Sequence, residues 1–226
     1  MLLVVAGALA GLACWQWGRA AEKERLIARQ TERGGQPALD WAALQAAGSD
    51  VDDRPVRLTG RFDPALRVAL DNQMHGGRAG MDLYVVFRPQ DSQAGVLVDI
   101  GWVPTDREGG PAVPSAVPAG TEIRGLALHP PAFLTVGQPE HTRGLWRAGR
   151  IEPEVWAQRW GVALVPWVIR LAPDVQGGYL RDWKRRADMR MTPERHRAYA
   201  FQWAALAVAW CVCCFYAWRR LGREAS

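Results

Sequence analysis

Residues 198–218 read AYAFQWAALAVAWCVCCFYAW and contain no Asp, Glu, Lys or Arg. As an α-helix the stretch is about 31 Å long, enough to cross a hydrocarbon core of about 30 Å. It therefore reads as the apolar part of a transmembrane helix over 193–220. At the other end, residues 1–18, MLLVVAGALAGLACWQWG, are equally free of charge and span about 27 Å as a helix. They lack the basic lead of a cleaved signal and exceed its usual apolar run, so they read as a retained anchor. The remainder is water-soluble in character. The 226 residues carry 28 Lys+Arg against 23 Asp+Glu, a net charge of +5, and the mean hydropathy is −0.16. A many-spanning membrane protein would score clearly positive. The composition also argues against a plain cytosolic enzyme and a disordered chain.

Arg219, Arg220 and Arg223 follow the second apolar stretch. The central segment is too long for its charges to set orientation, so these three place the C-terminus in the cytoplasm. Two spans then place the N-terminus there as well and the central domain in the periplasm of a bacterial inner membrane. The expected organisation is a helix over 1–18, an extracytoplasmic α+β domain over 19–192, a helix over 193–220 and a cytoplasmic tail over 221–226. All four cysteines lie in the apolar ends, so the outer domain must fold without disulfides. Cys211 and Cys214 form a C-x-x-C that reads as apolar filling rather than a redox pair.

Within the domain, Arg19–Arg33 reads as a charged helix ended by Gly34-Gly35. Asp40 can cap a short helix through Ala47. From Val56 the period changes to two, with Val56, Leu58, Gly60 and Phe62 alternating with Arg57, Thr59 and Arg61. Strands are also expected at 66–70, 83–87, 95–103, 122–128 and 167–171, with turns at Asp63-Pro64, Gly76-Gly77 and 91–93. Such spacing favours hairpins, hence a domain that is mostly an antiparallel sheet or open barrel. Residues 109–120 (GGPAVPSAVPAG) read as a flexible loop. Glu152–Trp160 reads as a helix, with Pro153 in its first turn and Gly161 past its end.

No H-E-x-x-H, G-x-S-x-G or phosphate-binding loop is present. Asp71, Asp82 and Asp99 are scattered acids, and His75, His129 and His141 have no partner at ligand spacing. An enzyme would have to build a polar cleft from these groups, and no catalytic residue is assigned. His196 differs because Thr192, Pro193 and Glu194 open a helix beneath it. The positive helix end and the flanking Arg195 and Arg197 favour an uncharged imidazole, the form that a metal or haem iron takes as ligand. Tyr199, Ala200 and Trp203 share its face at i+3, i+4 and i+7. The competing reading is an interfacial belt of His, Tyr and Trp. Gln16 and Gln202 stand near the outer ends of the two spans, flanked by Trp15 and Trp203, and their amides are expected to pair the helices. Segment 181–197 holds seven Lys+Arg and three Asp+Glu. This net +4 suits anionic headgroups or, alternatively, carboxylates such as haem propionates.

Several motifs resemble the surfeit-locus family of cytochrome c oxidase assembly factors. They are Trp15-Gln16-x-x-Arg19-x-x-x-Lys23, then Gly60-Arg61-Phe62-Asp63 and Leu70-Asp71-Asn72, then Pro89, Gly95 and Val96-Leu97-Val98. Gly101-Trp102-Val103-Pro104 follows, and His196-x-x-Tyr199-Ala200-x-Gln202-Trp203 opens the second span. The likeness covers both ends and about 60–104. The family usually has Arg before Gly-Trp-Val-Pro, where this chain has Ile100. The resemblance implies a two-span membrane protein that helps deliver haem a into oxidase subunit I. It also implies His196 as a metal ligand, to the haem iron, with Trp15 and Trp203 lining the same site; on the helix-face reading, Tyr199 and Trp203 are the aromatic walls beside the ring. Subunit I, other assembly factors and haem a synthase are the implied partners, along with membrane lipid, and nucleic acid is not among them. A cofactor-free scaffold for a nascent oxidase subunit is the alternative.

Overall fold

The computed structural model describes residues 2–90, 92–106, 110–111, 117–130, 137–142, 144–183 and 191–224. The chain divides at Thr31/Glu32 and at Trp183/Lys184 into two compact units. One holds the long terminal helices and the other a sheet.

In the helical unit, α1 (Leu2–Gly34) runs unbroken for 33 residues, so the apolar stretch and the charged stretch after it form a single helix. No proline interrupts it, and Gly34 ends it. The last helix, α4, starts at Pro193 and continues to Glu224. Among the described residues one helix is long and apolar enough to cross a membrane. That is Pro193–Arg220, with a mean hydropathy of 1.6 and only 6% of its apolar window buried.

The sheet unit begins with α2 (Trp41–Ala46), capped as expected, with the Ala43 amide donating to Asp40 Oδ1 at 2.8 Å. The strands are β1 (Arg54–His75), β2 (Arg78–Pro89), β3 (Gly95–Pro104), β4 (Glu122–Leu128), β5 (Glu140–Thr142), β6 (Leu145–Ala148) and β7 (Leu164–Leu171), with α3 (Pro153–Trp160) between the last two. Their order is β2-β3-β7-β4-β1-β6-β5, and β2 also pairs with β1. That extra pairing closes β1, β2, β3, β7 and β4 into a ring, which leaves β6 and β5 as an extension.

Two expectations are corrected here. Asp63-Pro64 is not a turn, because β1 passes through it, and the register against β2 shifts between Asp63 and Arg67. A bulge absorbs a proline, which has no N–H for the ladder. The sheet is mainly antiparallel, as expected, with two parallel pairings, β3–β7 and β1–β6. The ring is closed rather than open. By contrast, Gly76-Gly77 forms the expected two-residue hairpin turn, with φ of 57° and 79° that suit glycine. Half of the stretch 109–120, residues 109 and 112–116, lies outside the described residues.

The sheet is buried on both faces where β2, β3 and β7 run together. Leu83, Val85 and Phe87 of β2, Val96, Val98 and Ile100 of β3, and Trp167, Ile169 and Leu171 of β7 belong to the main core. The alternate residues Tyr84, Val86, Leu97 and Val168 pack in a second cluster with Trp156 of α3. This is why β2 and β3 read as nearly continuous apolar runs rather than alternating ones.

Candidate functional site

Among the described residues, four contacts between α1 and α4 or the residue pair before it gather at one end of the two long helices. Lys23 donates to the carbonyl of Met191, and Arg197 pairs with Glu24. Trp17 meets Phe201 edge-on, with ring centroids 6.1 Å apart. At their centre His196 Nδ1 lies 2.7 Å from Gln16 Oε1. His196 is 6% exposed, and Ala20 and Ala200 are buried as well. The less exposed positions recur every three or four residues on both helices: Leu9, Ala13, Gln16 and Ala20 on α1, and His196, Ala200, Trp203 and Ala207 on α4. That spacing makes a single stripe along each helix. Small residues on such a stripe let helices approach in lipid.

The hydrogen bond decides the chemistry of the ring. An amide oxygen only accepts, so Nδ1 is the donor in this bond, and in the neutral ring the lone pair is then on Nε2. Gln16 is the only side-chain hydrogen-bond partner of His196 among the described residues. A ligating histidine is held in this way, with one nitrogen tied to an oxygen acceptor and the other presented. Among the described residues no group of three or more His, Cys, Asp or Glu could hold a metal ion. An iron at His196 would have to bring its other ligands with it, as a porphyrin does.

Gln16 therefore meets His196 and not the expected Gln202, which is exposed, as is Trp15 at 55%. The aromatic contact across the pair comes from Trp17, which sequence reasoning did not single out. Trp203 lies on the half-buried stripe with His196, while Tyr199 is 43% exposed. Arg19 pairs with Glu22 on its own helix at 2.6 Å. Cys14, Cys211 and Cys213 are exposed and Cys214 is half-buried, all with free thiols. Part of the basic segment 181–197 lies outside the described residues.

The motif residues of the sheet unit have structural partners. Gly101 has φ of 115°, and a Cβ there would meet the Tyr179 backbone at 2.8 Å. Its amide donates to Asp99 Oδ1 at 3.0 Å. Trp102 is 5% exposed and donates from Nε1 to the Gln73 carbonyl at 2.8 Å. Pro104 ends β3. The scattered polar groups lie as follows. Asp71 accepts from Arg147 at 3.0 Å, and Asp82 is buried at 2%. His75 packs against Trp102, His129 faces Asp52 and His141 packs against Trp146.

The model of the SURF1 family matches residues 3–208 of the chain. No curated protein sequence matches it significantly.

Proposed function

The chain belongs to the SURF1 family, a membrane-associated family linked to cytochrome c oxidase assembly, and from that premise we propose that it binds haem a through His196 and assists its delivery into oxidase subunit I. The hydrogen bond from His196 Nδ1 to Gln16 carries the reading, because it sets the tautomer that a ligand needs. When bound, haem a supplies an iron that takes an imidazole as axial ligand. His196 would present Nε2 to it. Trp203, on the same helix stripe, and the more exposed Tyr199 would offer apolar faces to the ring. Gln16 would hold the imidazole in place from the opposite helix. The protein's own work in this role is to bind and orient, and no bond-making step is assigned to it.

The proposed setting is the bacterial inner membrane, with two spans, both termini in the cytoplasm and the sheet unit in the periplasm. Exposed apolar side chains on both helices support it. Leu3 and Val4 are 87% and 72% exposed, and Val208 and Phe215 are 64% and 51% exposed. Such a surface calls for lipid rather than water. Subunit I and other assembly factors, haem a synthase among them, are the proposed partners.

The second reading is a cofactor-free scaffold for a nascent subunit. It is favoured by the near-complete burial of His196, which suits a hydrogen bond that serves only to pair helices. One experiment separates the two. The protein is purified from cells that make haem a, as wild type and as His196→Ala, and the Soret region is recorded. A band that disappears in the variant supports the ligand role. An unchanged band removes His196 as ligand. Absence of a band in wild type, with oxidase subunits still co-purifying, leaves the scaffold.

A further inference from the structure

A second feature, in the sheet unit, takes no part in the helical site. Where β1, β4 and β7 run side by side, a cavity of about 290 Å³ opens. Leu126, Pro173 and the Trp183 indole give it an apolar lining, and Arg57, Arg124 and Arg170 stand around it. Arg57 and Arg124 are direct cross-strand partners, and like charges set opposite each other destabilise a sheet. Arg124 is relieved by Asp174 at 2.9 Å, and Arg57 only loosely by Glu122 at 3.8 Å. Arg170 has no acidic partner among the described residues. Its Nε is buried without a hydrogen bond, and its guanidinium lies over Trp183, with Cζ 5.0 Å from the ring centroid. Of the three arginines, Arg170 alone makes no ion pair among the described residues, and it stands beside an apolar hollow. A buried donor without an acceptor is costly, and an incoming anion would relieve it.

The backbone narrows the choice of occupant. β4 and β7 are paired on both edges. β1 is paired to β4 on one side, and Leu39 bridges Val56 on the other. No strand edge is open here, so an extended peptide cannot join the sheet. Recognition is left to guanidiniums and an apolar lining. Arginine binds phosphate through parallel N–H donors, and the lining suits an acyl-glycerol body. Trp183 also precedes Pro193, the start of the membrane-type helix, by only ten residues, so the hollow is tethered close in the chain to a bilayer segment.

We propose that this hollow binds an anionic phospholipid, with its phosphate on Arg170 and Arg57 and its apolar body against Leu126, Pro173 and Trp183. The proposal is independent of His196 and survives if the haem reading fails. The test uses full-length protein in neutral detergent with phosphatidylglycerol carrying a photoreactive acyl chain, and cross-links are mapped by mass spectrometry. Labelling of α4 serves as the internal reference. Labelling within 121–128 or 173–183 is expected, reduced at least tenfold in Arg170→Gln while α4 labelling is unchanged. Arg57→Gln, at an exposed residue, carries the same expectation should Arg170→Gln not fold. Equal labelling of these segments by a phosphatidylcholine probe overturns the proposal, as does labelling confined to the helices. Loss of labelling on adding inorganic phosphate or an acidic peptide at matched concentration would assign the site to that ligand instead.

Discussion

The orientation of His196 depends on one acceptor, so the sharpest tests are single substitutions. Gln16→Leu removes the oxygen that fixes Nδ1 as the protonated nitrogen. Loss of such a supporting partner typically costs about 10–100-fold in metal affinity. The variant is expected to retain haem a weakly, with a shifted Soret maximum, in a titration against wild type. An identical affinity and spectrum would show that the hydrogen bond has no part in ligation. Gly101 is the corresponding position in the sheet unit. With φ of 115° and backbone 2.8 Å from any Cβ, Gly101→Ala has to shift the 179–180 backbone or β3. Strain of this kind costs about 1–3 kcal/mol, which a lowered melting temperature would report. The glycine is thus explained by steric exclusion, while Ile100 before it is wholly buried in the core, a place where a basic side chain would be expensive.

At the scale of elements, Arg33 and Asp50 form an ion pair within the sheet unit. Arg33 donates to Asp50 Oδ1 at 2.7 Å and to the Asp50 carbonyl at 2.9 Å. That hydrogen bond first, and the Arg33 charge second, hold the Asp50 carboxyl below its ordinary value. The folded form therefore binds the proton less readily than the unfolded chain. The stabilisation is fully present above the unfolded value of about 4 and is lost as pH falls through the lowered folded one. Arg33→Gln is expected to flatten the fall in melting temperature on acidification through that window. An equally steep fall would show that the pair adds nothing. The helix α3 is held by packing instead. Trp156 is 1% exposed and meets Trp146 at 5.8 Å and Trp160 at 5.0 Å, with Arg159 over the Trp146 ring at 4.4 Å. Trp156→Ala is expected to cost about 3–5 kcal/mol in denaturant unfolding. A smaller loss would mean that α3 covers the sheet only loosely.

For the whole molecule, composition sets the two units apart. Residues 32–183 contain no cysteine, and the sheet is held by its two apolar clusters. Reducing agent is accordingly expected to leave its melting temperature unchanged. What was legible in the sequence was local. The Asp40 cap, the Gly76-Gly77 hairpin and the Pro153 and Pro193 starts each rest on a few neighbouring residues. The continuity of β1 through Pro64 was not legible, because the bulge that tolerates the proline depends on β2 opposite. Nor were the parallel pairings, which join segments far apart in the chain. The pairing of Gln16 with His196 escaped because matching depth was judged from span ends, whereas the contact sits where Trp17 meets Phe201. The alternation of Leu9, Ala13, Gln16 and Ala20 with a period near 3.5 was the available signal.

The closed ring also bears on how the chain reaches its folded form. Gly95 of β3 and Leu164 of β7 are partners, yet 69 residues separate them in the sequence. Contacts of such long range are assembled slowly, on the order of milliseconds to seconds. Until that closure, β2 and β3 expose their apolar residues to any neighbouring chain. A nascent molecule thus passes through an interval of aggregation risk, and expression yield is expected to depend more on β7 than on any local hairpin.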